Sequence, residues 1–150
     1  MIGRLTKPWK NAAPILIRVA LGSVLLYHGL DRLGIVGPDG FKASINESIQ
    51  EAAKAGLHPE ELWGYVVALS EAIGGPLILL GLFTRYAALA LSVLAGVVIF
   101  HVQWSYGFRV EAGGWEYTYT LFCCCLYLVI AGGGSLSADE LLWPSNREKK

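Results

Sequence analysis

The sequence predicts an all-α integral membrane protein, a bundle of four membrane-spanning helices. Hydrophobic residues make up 54% of its 150 residues and charged residues only 16%, whereas a typical soluble domain carries about 25% charge. Four apolar stretches approach the ~20 residues that a helix needs to cross ~30 Å of hydrocarbon: residues 13–33, 62–83, 86–106 and 117–132. A soluble domain of this size could not bury so much apolar surface.

The first span follows a basic segment. Arg4, Lys7 and Lys10 precede an apolar run that superficially resembles a secretory signal. The run from Ala12 to Leu33 is longer than the apolar region of a signal, contains Arg18 and lacks a small-x-small cleavage site. We therefore expect this run to be retained as a membrane span.

The long connection between the first and second spans, Asp31 to Glu61, predicts an amphipathic helix. Its apolar residues recur at near-helical spacing with polar residues between them: Phe41, Ile45, Ile49, Ala53 and Leu57. Glycine and proline break the chain before and after this segment. We expect the helix to lie flat on the outer membrane surface or to cap the bundle.

The orientation follows from the short hairpin at 81–85 and from the basic residues. Four spans place both termini on one side, together with this hairpin. The basic residues on that side are Arg4, Lys7, Lys10, Arg85, Arg147, Lys149 and Lys150. The basic residues on the opposite side are fewer and are accompanied by many acidic residues. The positive-inside rule then predicts cytoplasmic termini, and we expect a multi-pass protein of the bacterial cytoplasmic membrane.

Charge and cysteine content narrow the function classes. The formal net charge of +0 gives no general attraction to nucleic acid, so no nucleic-acid partner is expected. Cys123, Cys124 and Cys125 are consecutive, and neighbours on a helix point about 100° apart, so they cannot jointly ligate a metal. We expect them to pack as small apolar side chains; lipid attachment and a redox role are the alternatives.

Ionisable residues within the spans mark the candidate site. Each costs about 2.5–3.5 kcal/mol on insertion scales, so each needs a partner, a wet cavity or a function. Because the spans alternate in direction, His28, His101 and Glu116 fall near the outer end. Glu71 lies roughly 13 Å below the outer boundary. We expect these four residues to converge in the outer half of the bundle, although each histidine has an alternative as a hydrogen-bonded interfacial group.

Three further residues complete the predicted site region. Arg18 lies in the inner half, where it either snorkels to the headgroups or reaches toward Glu71. Trp104 and Tyr117 belong to an aromatic rim at the outer boundary. The glycine-containing loop between the third and fourth spans, 106–116, is expected to form a lid over the outer mouth.

Taken together, the order and spacing of these residues resemble the DoxX-like family of membrane proteins, which includes the DoxD-type subunit of thiosulfate:quinone oxidoreductase. The resemblance covers nearly the whole chain. It rests on Arg18-Val19-Ala20-Leu21-Gly22, His28-Gly29, Glu71, Gly74-Gly75, Leu80-Gly81-Leu82-Phe83-Thr84-Arg85, His101, Gly113-Gly114, Glu116 and Tyr117. It implies a four-helix membrane fold and a quinone-linked or otherwise redox-associated protein with partner subunits.

The first functional hypothesis is a quinone-interacting redox subunit. In it, Glu71, His101 and His28 are catalytic and move the protons that accompany quinone chemistry, since histidine and a buried carboxyl can exchange protons near neutral pH. The quinone-contacting residues are predicted to be Trp104, Glu116, Tyr117 and Arg18.

Two other hypotheses stay open. The chain lacks CxxC, haem-attachment and dinucleotide motifs, which favours a non-catalytic accessory subunit of a larger membrane complex or a homo-oligomer. Its close-packing surfaces would be glycines: Gly22, Gly74, Gly75 and Gly96. The third hypothesis is a metal site built from His28, His101 and Glu71 or Glu116, although no metal ligand is assigned.

Overall fold

The computed structural model describes residues 13–37 and 40–143, and this part of the chain is helical with no strand. The helices in chain order are α1 (Ala13–Arg32), α2 (Gly40–Lys54), α3 (Glu60–Leu80), α4 (Thr84–Val97), α5 (Glu116–Ala131) and α6 (Ala138–Leu142). A π-helical segment, Val98–Gln103, continues α4, and two 3-10 turns follow at Trp104–Tyr106 and Val110–Ala112. The basic residues predicted near both termini lie outside the described residues.

In the described part of the chain, three helices are long and apolar enough to cross a membrane. They are α1, α3 and the continuous helical stretch Thr84–Tyr106, while α5 is apolar but has only 16 residues. The prediction of an all-helical chain with long apolar helices is therefore confirmed for these residues.

The long helices form a closed ring. In it α1 packs against α3, α3 against α4, α4 against α5, and α5 returns to α1. Buried side chains from all four fill the centre, among them Leu21, Ile78, Leu91 and Leu128. We call the end of the ring that carries Arg32, α2 and the 104–116 loop the site end, and the opposite end, with residues 132–143, the clamp end.

Glycines bring α1 and α3 into backbone contact. A Cβ added at Gly29 would overlap the backbone of Ala72, and one added at Gly75 would overlap the backbone of Leu26. At Gly22 it would lie 2.8 Å from the amide nitrogen of Leu79. Small residues at such positions let membrane helices approach closely.

The glycines expected to face partner chains are mostly used inside the bundle. Gly22 and Gly75 face each other's helices, and Gly74 receives the side chain of Leu91 from α4. Of these four, only Gly96 borders open space, since a Cβ added there would meet no atom within 4 Å. The partner-docking role is thus corrected for three of the four glycines, because the bundle's own close packing requires them.

The predicted amphipathic helix is α2, which packs on α3 and α1 at the site end and so caps the bundle. Its buried residues are Ile45, Ser48 and Ala52, whereas Ala53 is exposed. The buried face is therefore rotated from the predicted one, because it follows an i, i+3, i+7 stripe. This rotation brings a polar side chain, Ser48, into the interior.

Candidate functional site

One arginine joins three helices at the site end. Arg32 Nε lies 3.1 Å from Glu71 Oε2 on α3, and Arg32 Nη1 lies 3.1 Å from Glu51 Oε2 on α2. The same Nη1 also donates to Ser48 Oγ at 3.0 Å. We call these four residues the Arg32 cluster. A single guanidinium thus ties together the last residue of α1, the buried face of α2 and the middle of α3.

The directions of the helices explain how Arg32 reaches Glu71. Each Cα–Cβ bond of a helix leans toward that helix's N-terminus. Because α1 and α3 run in opposite directions, Arg32 leans away from the site end while Glu71 leans toward it. Glu71 lies eleven residues after Glu60, about 16 Å along the helix axis. Because the two side chains lean toward each other, they can meet although Arg32 lies at the end of α1 and Glu71 in the middle of α3.

Exposure rises stepwise through the Arg32 cluster. The side chain of Glu71 is 17% exposed, that of Arg32 is 29% exposed, and that of Glu51 is 60% exposed. A carboxylate in the middle of an apolar helix needs a compensating charge, and Arg32 supplies it. The cluster is therefore a continuous polar connection from the interior of the bundle to its surface.

Two more residues face Glu71 from neighbouring helices. His28 lies one turn before Arg32 on α1 and within electrostatic range of the Glu71 carboxylate. Tyr117, in the first turn of α5, is also within range of that charge. The rings of His28 and Tyr117 meet edge to face with centroids 6.3 Å apart. The structure thus gathers an imidazole, a phenol and a carboxylate from α1, α5 and α3.

A cavity of about 180 Å³ opens beside the Arg32 cluster, between the end of α1 and the middle of α2. All seven residues that line it are polar or charged. The lining residues are His28, Asp31, Arg32, Ser44, Glu47, Ser48 and Glu51. A water-accessible space therefore lies directly next to the residues that pair with Glu71.

His101 is not part of the Arg32 cluster. It is exposed, it lies in the π-helical segment, and in residues 13–37 and 40–143 no hydrogen bond or ion pair links it to Glu71 or His28. The expected convergence of both histidines assumed a regular helix. A π segment closes its hydrogen bonds over five residues instead of four, which changes the face on which each side chain lies.

Trp104 and Glu116 belong to the loop at the site end. Trp104 stacks on Trp115 with centroids 6.0 Å apart and an interplanar angle of 10°. Glu116 Oε2 accepts a hydrogen bond from the backbone N–H of Val110 at 3.3 Å. Both side chains therefore organise the 104–116 loop. The structure places neither of them in the Arg32 cluster.

Arg18 has a different role from either predicted one. Its side chain is buried, with 3% exposure, and donates to four backbone carbonyls: Ile78 at 3.1 Å, Leu79 at 2.9 Å, Gly133 at 3.0 Å and Leu136 at 2.9 Å. We call this arrangement the Arg18 clamp. Snorkelling and contact with Glu71 are both corrected, because carbonyls at a helix C-terminus lack helical partners and attract a cation.

Sequence reasoning missed the partners of both arginines. The sequence pattern assigned no functional role to Arg32, Ser48 or Glu51. The available signal was the buried Glu71, which requires a cation within reach. Asp139 was also missed: its carboxylate accepts from the N–H groups of Phe83 and Thr84 at 2.6 and 2.9 Å and so caps α4.

The described residues contain no set of side chains suited to bind a metal ion. Within them, no group of three or more histidine, cysteine, aspartate or glutamate side chains is arranged to hold a metal ion. Of the predicted ligands, His28 and Glu71 are close, while Glu116 accepts a hydrogen bond from the backbone N–H of Val110. The described residues therefore give no support to a metal site.

Comparison with known proteins adds a family and two relatives. The family model described as DoxX matches residues 13–104. A Bacillus subtilis protein named "Putative oxidoreductase CatD" is 26% identical over 136 residues, 89% of this chain and 89% of that protein. A Haemophilus influenzae protein named "Uncharacterized protein" is 30% identical over 86 residues, 57% of either chain, so the match spans little more than half of that relative. No solved structure matches significantly.

Proposed function

Because the chain belongs to the DoxX family, we propose that it is a redox-associated subunit of the bacterial cytoplasmic membrane that binds a quinone and exchanges its protons. The observation that carries the proposal is the buried carboxylate of Glu71, joined through Arg32 to the exposed Glu51. The name of the Bacillus subtilis relative supports the oxidoreductase class.

We propose that α5 is the fourth span and that the clamp end faces the cytoplasm. At 1.5 Å per residue, its 16 residues cover about 24 Å, and α5 completes the ring between α4 and α1. Impermeant maleimide labelling in spheroplasts tests this topology in a chain lacking native cysteines. Glu111→Cys at the site end should react and Arg85→Cys at the clamp end should not; the reverse pattern would refute the orientation.

The residues around Glu71 suit the polar atoms of a quinone or quinol. The Tyr117 hydroxyl and the His28 imidazole can donate to a quinone oxygen, and the Glu71 carboxylate can accept from a quinol hydroxyl. When bound, a quinol supplies two electrons and two protons as it becomes a quinone. In this proposal the electrons pass to a redox-active partner subunit. The two protons pass one after the other to Glu71, which releases each to water before it accepts the next.

The Arg32 cluster allows Glu71 to accept a proton without leaving a charge unpaired. The Arg32 guanidinium is shared between Glu71 and Glu51. When Glu71 becomes neutral, Arg32 keeps its ion pair with Glu51 and its hydrogen bond to Ser48. His28 is placed to relay the proton, because imidazole exchanges protons near neutral pH. The proposal assigns no catalytic role to His101, and none in binding to Trp104, Glu116 or Arg18.

The decisive test compares Glu71→Gln with Glu111→Gln. Both variants remove one carboxylate, but Glu111 lies exposed in the 104–116 loop. Loss of a positioned proton acceptor slows a reaction by about 10²- to 10⁴-fold, so Glu71→Gln should lower quinol-dependent electron transfer in native membranes by that factor. Glu111→Gln should leave it unchanged.

Binding of a quinol analogue to the purified chain separates recognition from proton transfer. Tyr117→Phe and His28→Ala should weaken this binding, and thermal unfolding of each variant checks that the bundle is intact. Unchanged binding together with unchanged electron transfer in Glu71→Gln would refute the proposal.

A non-catalytic accessory subunit is the second candidate function, and one surface favours it. Gly96 borders open space on α4, between the exposed side chains of Val93 and Phe100. Such a surface could receive a helix of a partner subunit or of a second copy. Gly96→Trp should then abolish co-purification of that chain without lowering the unfolding temperature, and unchanged co-purification would count against docking there.

A further inference from the structure

The cavity between α1 and α2 has the size and chemistry of a hydrated space. Its volume is about 180 Å³, and water occupies ~30 Å³ per molecule in the liquid, which leaves room for about six. A buried water needs two to four polar partners. Carboxylates, hydroxyls, an imidazole and a guanidinium provide them on every wall.

The charges around the cavity favour cations. Asp31, Glu47 and Glu51 line the walls and Arg32 is the one arginine among the lining residues. Glu71 adds a further carboxylate behind Arg32. Clefts lined by one sign of charge raise the local concentration of the opposite sign, and for this set the attracted species includes the hydronium ion.

The cavity also connects two regions of different exposure. Glu47 and Glu51 reach the surface, whereas Ser48 on the inner wall is 4% exposed. His28 is both a wall of the cavity and a neighbour of Glu71. A proton entering between the acids of α2 therefore meets His28 before it reaches the interior of the bundle.

We propose that this cavity, the α1/α2 vestibule, is filled with water and is the route by which protons pass between the aqueous phase at the site end and Glu71. The inference rests on the proposed function, which gives Glu71 a reason to exchange protons. The path itself is argued only from the cavity and from the groups that line it.

The transfer balances without any further reactant. A hydronium ion in the vestibule gives its proton to His28 and becomes water. The imidazolium then passes the proton to the Glu71 carboxylate, which becomes a carboxyl group. The charged and titratable groups facing Glu71 are His28 and Arg32 from α1, Glu51 from α2 and Tyr117 from α5. Arg32 keeps Glu51 as its counterion throughout.

The first experiment measures whether the vestibule contains water. Ser44→Cys is made in a chain whose three native cysteines are replaced by alanine, and the protein is placed in lipid nanodiscs. Val93→Cys is the matched control, since Val93 is 61% exposed on α4 but lies within a span. A water-soluble maleimide should modify Ser44→Cys at least tenfold faster than Val93→Cys.

The second experiment measures proton delivery to Glu71. The infrared band of the Glu71 carboxyl is identified by its loss in Glu71→Gln, and its rate of appearance is followed after a rapid drop in pH. Asp31→Asn/Glu47→Gln should slow this rate at least fivefold, while Glu111→Gln should leave it unchanged. A cationic thiol reagent attached to Ser44→Cys should slow it further, because it fills the vestibule and repels protons.

Two results would overturn the proposal. One is equal reactivity of Ser44→Cys and Val93→Cys, and the other is an unchanged rate of Glu71 protonation with the vestibule blocked. If either occurs while Glu71→Gln still abolishes quinol-dependent electron transfer, the route is wrong and the proposed function stands. If both vestibule experiments give the expected results but Glu71→Gln leaves quinol-dependent electron transfer unchanged, the route is supported and the proposed function fails.

Discussion

Two arginines of α1 lead to opposite kinds of structure. Arg18 and Arg32 lie 14 residues apart, about four helical turns, and so occupy nearly the same face. Both point toward α3. Arg18 binds four neutral carbonyls with 3% exposure, whereas Arg32 binds two carboxylates and a hydroxyl beside a cavity.

The partners decide what each arginine can do. Backbone carbonyls do not change charge at any ordinary pH, so the Arg18 clamp is static and holds α1 to the end of α3 and to the segment after α5. Carboxylates do change charge, so Arg32 can lose one partner and keep the other. The clamp end is therefore suited to stability, and the site end is suited to exchange.

The largest expected effect comes from Arg18→Met compared with Arg32→Met. In Arg18→Met the carbonyls of Leu79, Gly133 and Leu136 lose their partner, whereas that of Ile78 keeps the N–H of Gly81. At about 1–3 kcal/mol for each of these three carbonyls, the free energy of unfolding should fall by at least about 3 kcal/mol. Arg32→Met should cost only about 1–2 kcal/mol, because Glu51 is 60% exposed and Glu71 can become neutral by taking up a proton once its cation is gone. Denaturant unfolding in detergent measures both. A larger loss for Arg32→Met would reverse the assignment of roles.

A medium effect is expected where α1 and α3 touch. Gly29→Ala forces a methyl group into the backbone of Ala72, which should lower the free energy of unfolding by about 1–3 kcal/mol. The displaced α1 should also separate Arg32 from Glu71 and weaken binding of a quinol analogue.

The matched control for this change is Gly96→Ala, which adds the same methyl group in open space. It should be neutral or stabilise α4 by up to about 1 kcal/mol, since alanine favours helices over glycine. Equal destabilisation by the two substitutions would contradict close packing as the cause.

The smallest effect on stability is expected for Glu51→Gln. The Glu51 side chain is 60% exposed, and exposed ion pairs contribute about 0–1 kcal/mol. The loss should be below 1 kcal/mol and should shrink in high salt, because dissolved ions screen exposed charges. Unfolding at two salt concentrations measures this. A loss as large as that of Arg18→Met would contradict the assignment of stability to the clamp end and of proton exchange to the site end.

The sequence predicted the helices well because apolar runs of membrane length carry a local signal. It also predicted that Glu71 and His28 lie near each other, since alternating span directions fix approximate depth. It could not predict the rotated face of α2, because the contact with α3 decides which stripe is buried. The π segment that carries His101 likewise has no local pattern in the residues that form it.

The partner of Arg18 was beyond sequence reasoning for a different reason. Every residue of the chain carries a backbone carbonyl oxygen, so the sequence does not indicate which carbonyls bind Arg18. A mid-span arginine therefore suggested a carboxylate or a headgroup. The partners of Arg32 include carboxylates, but Arg32 lies at the end of its span. A charge there can reach water, so the sequence gives no reason to look for a partner inside the protein.

The long reach of the Arg18 clamp also bears on biosynthesis. Arg18 is made with the first helix, but its ligands Gly133 and Leu136 are made more than a hundred residues later. During synthesis the first helix must therefore enter the membrane with an incompletely paired arginine, at a cost of about 2.5–3.5 kcal/mol. Completion of the clamp then couples the first helix to a segment made much later. A chain that ends before residue 133 therefore lacks two of the four carbonyl partners of Arg18.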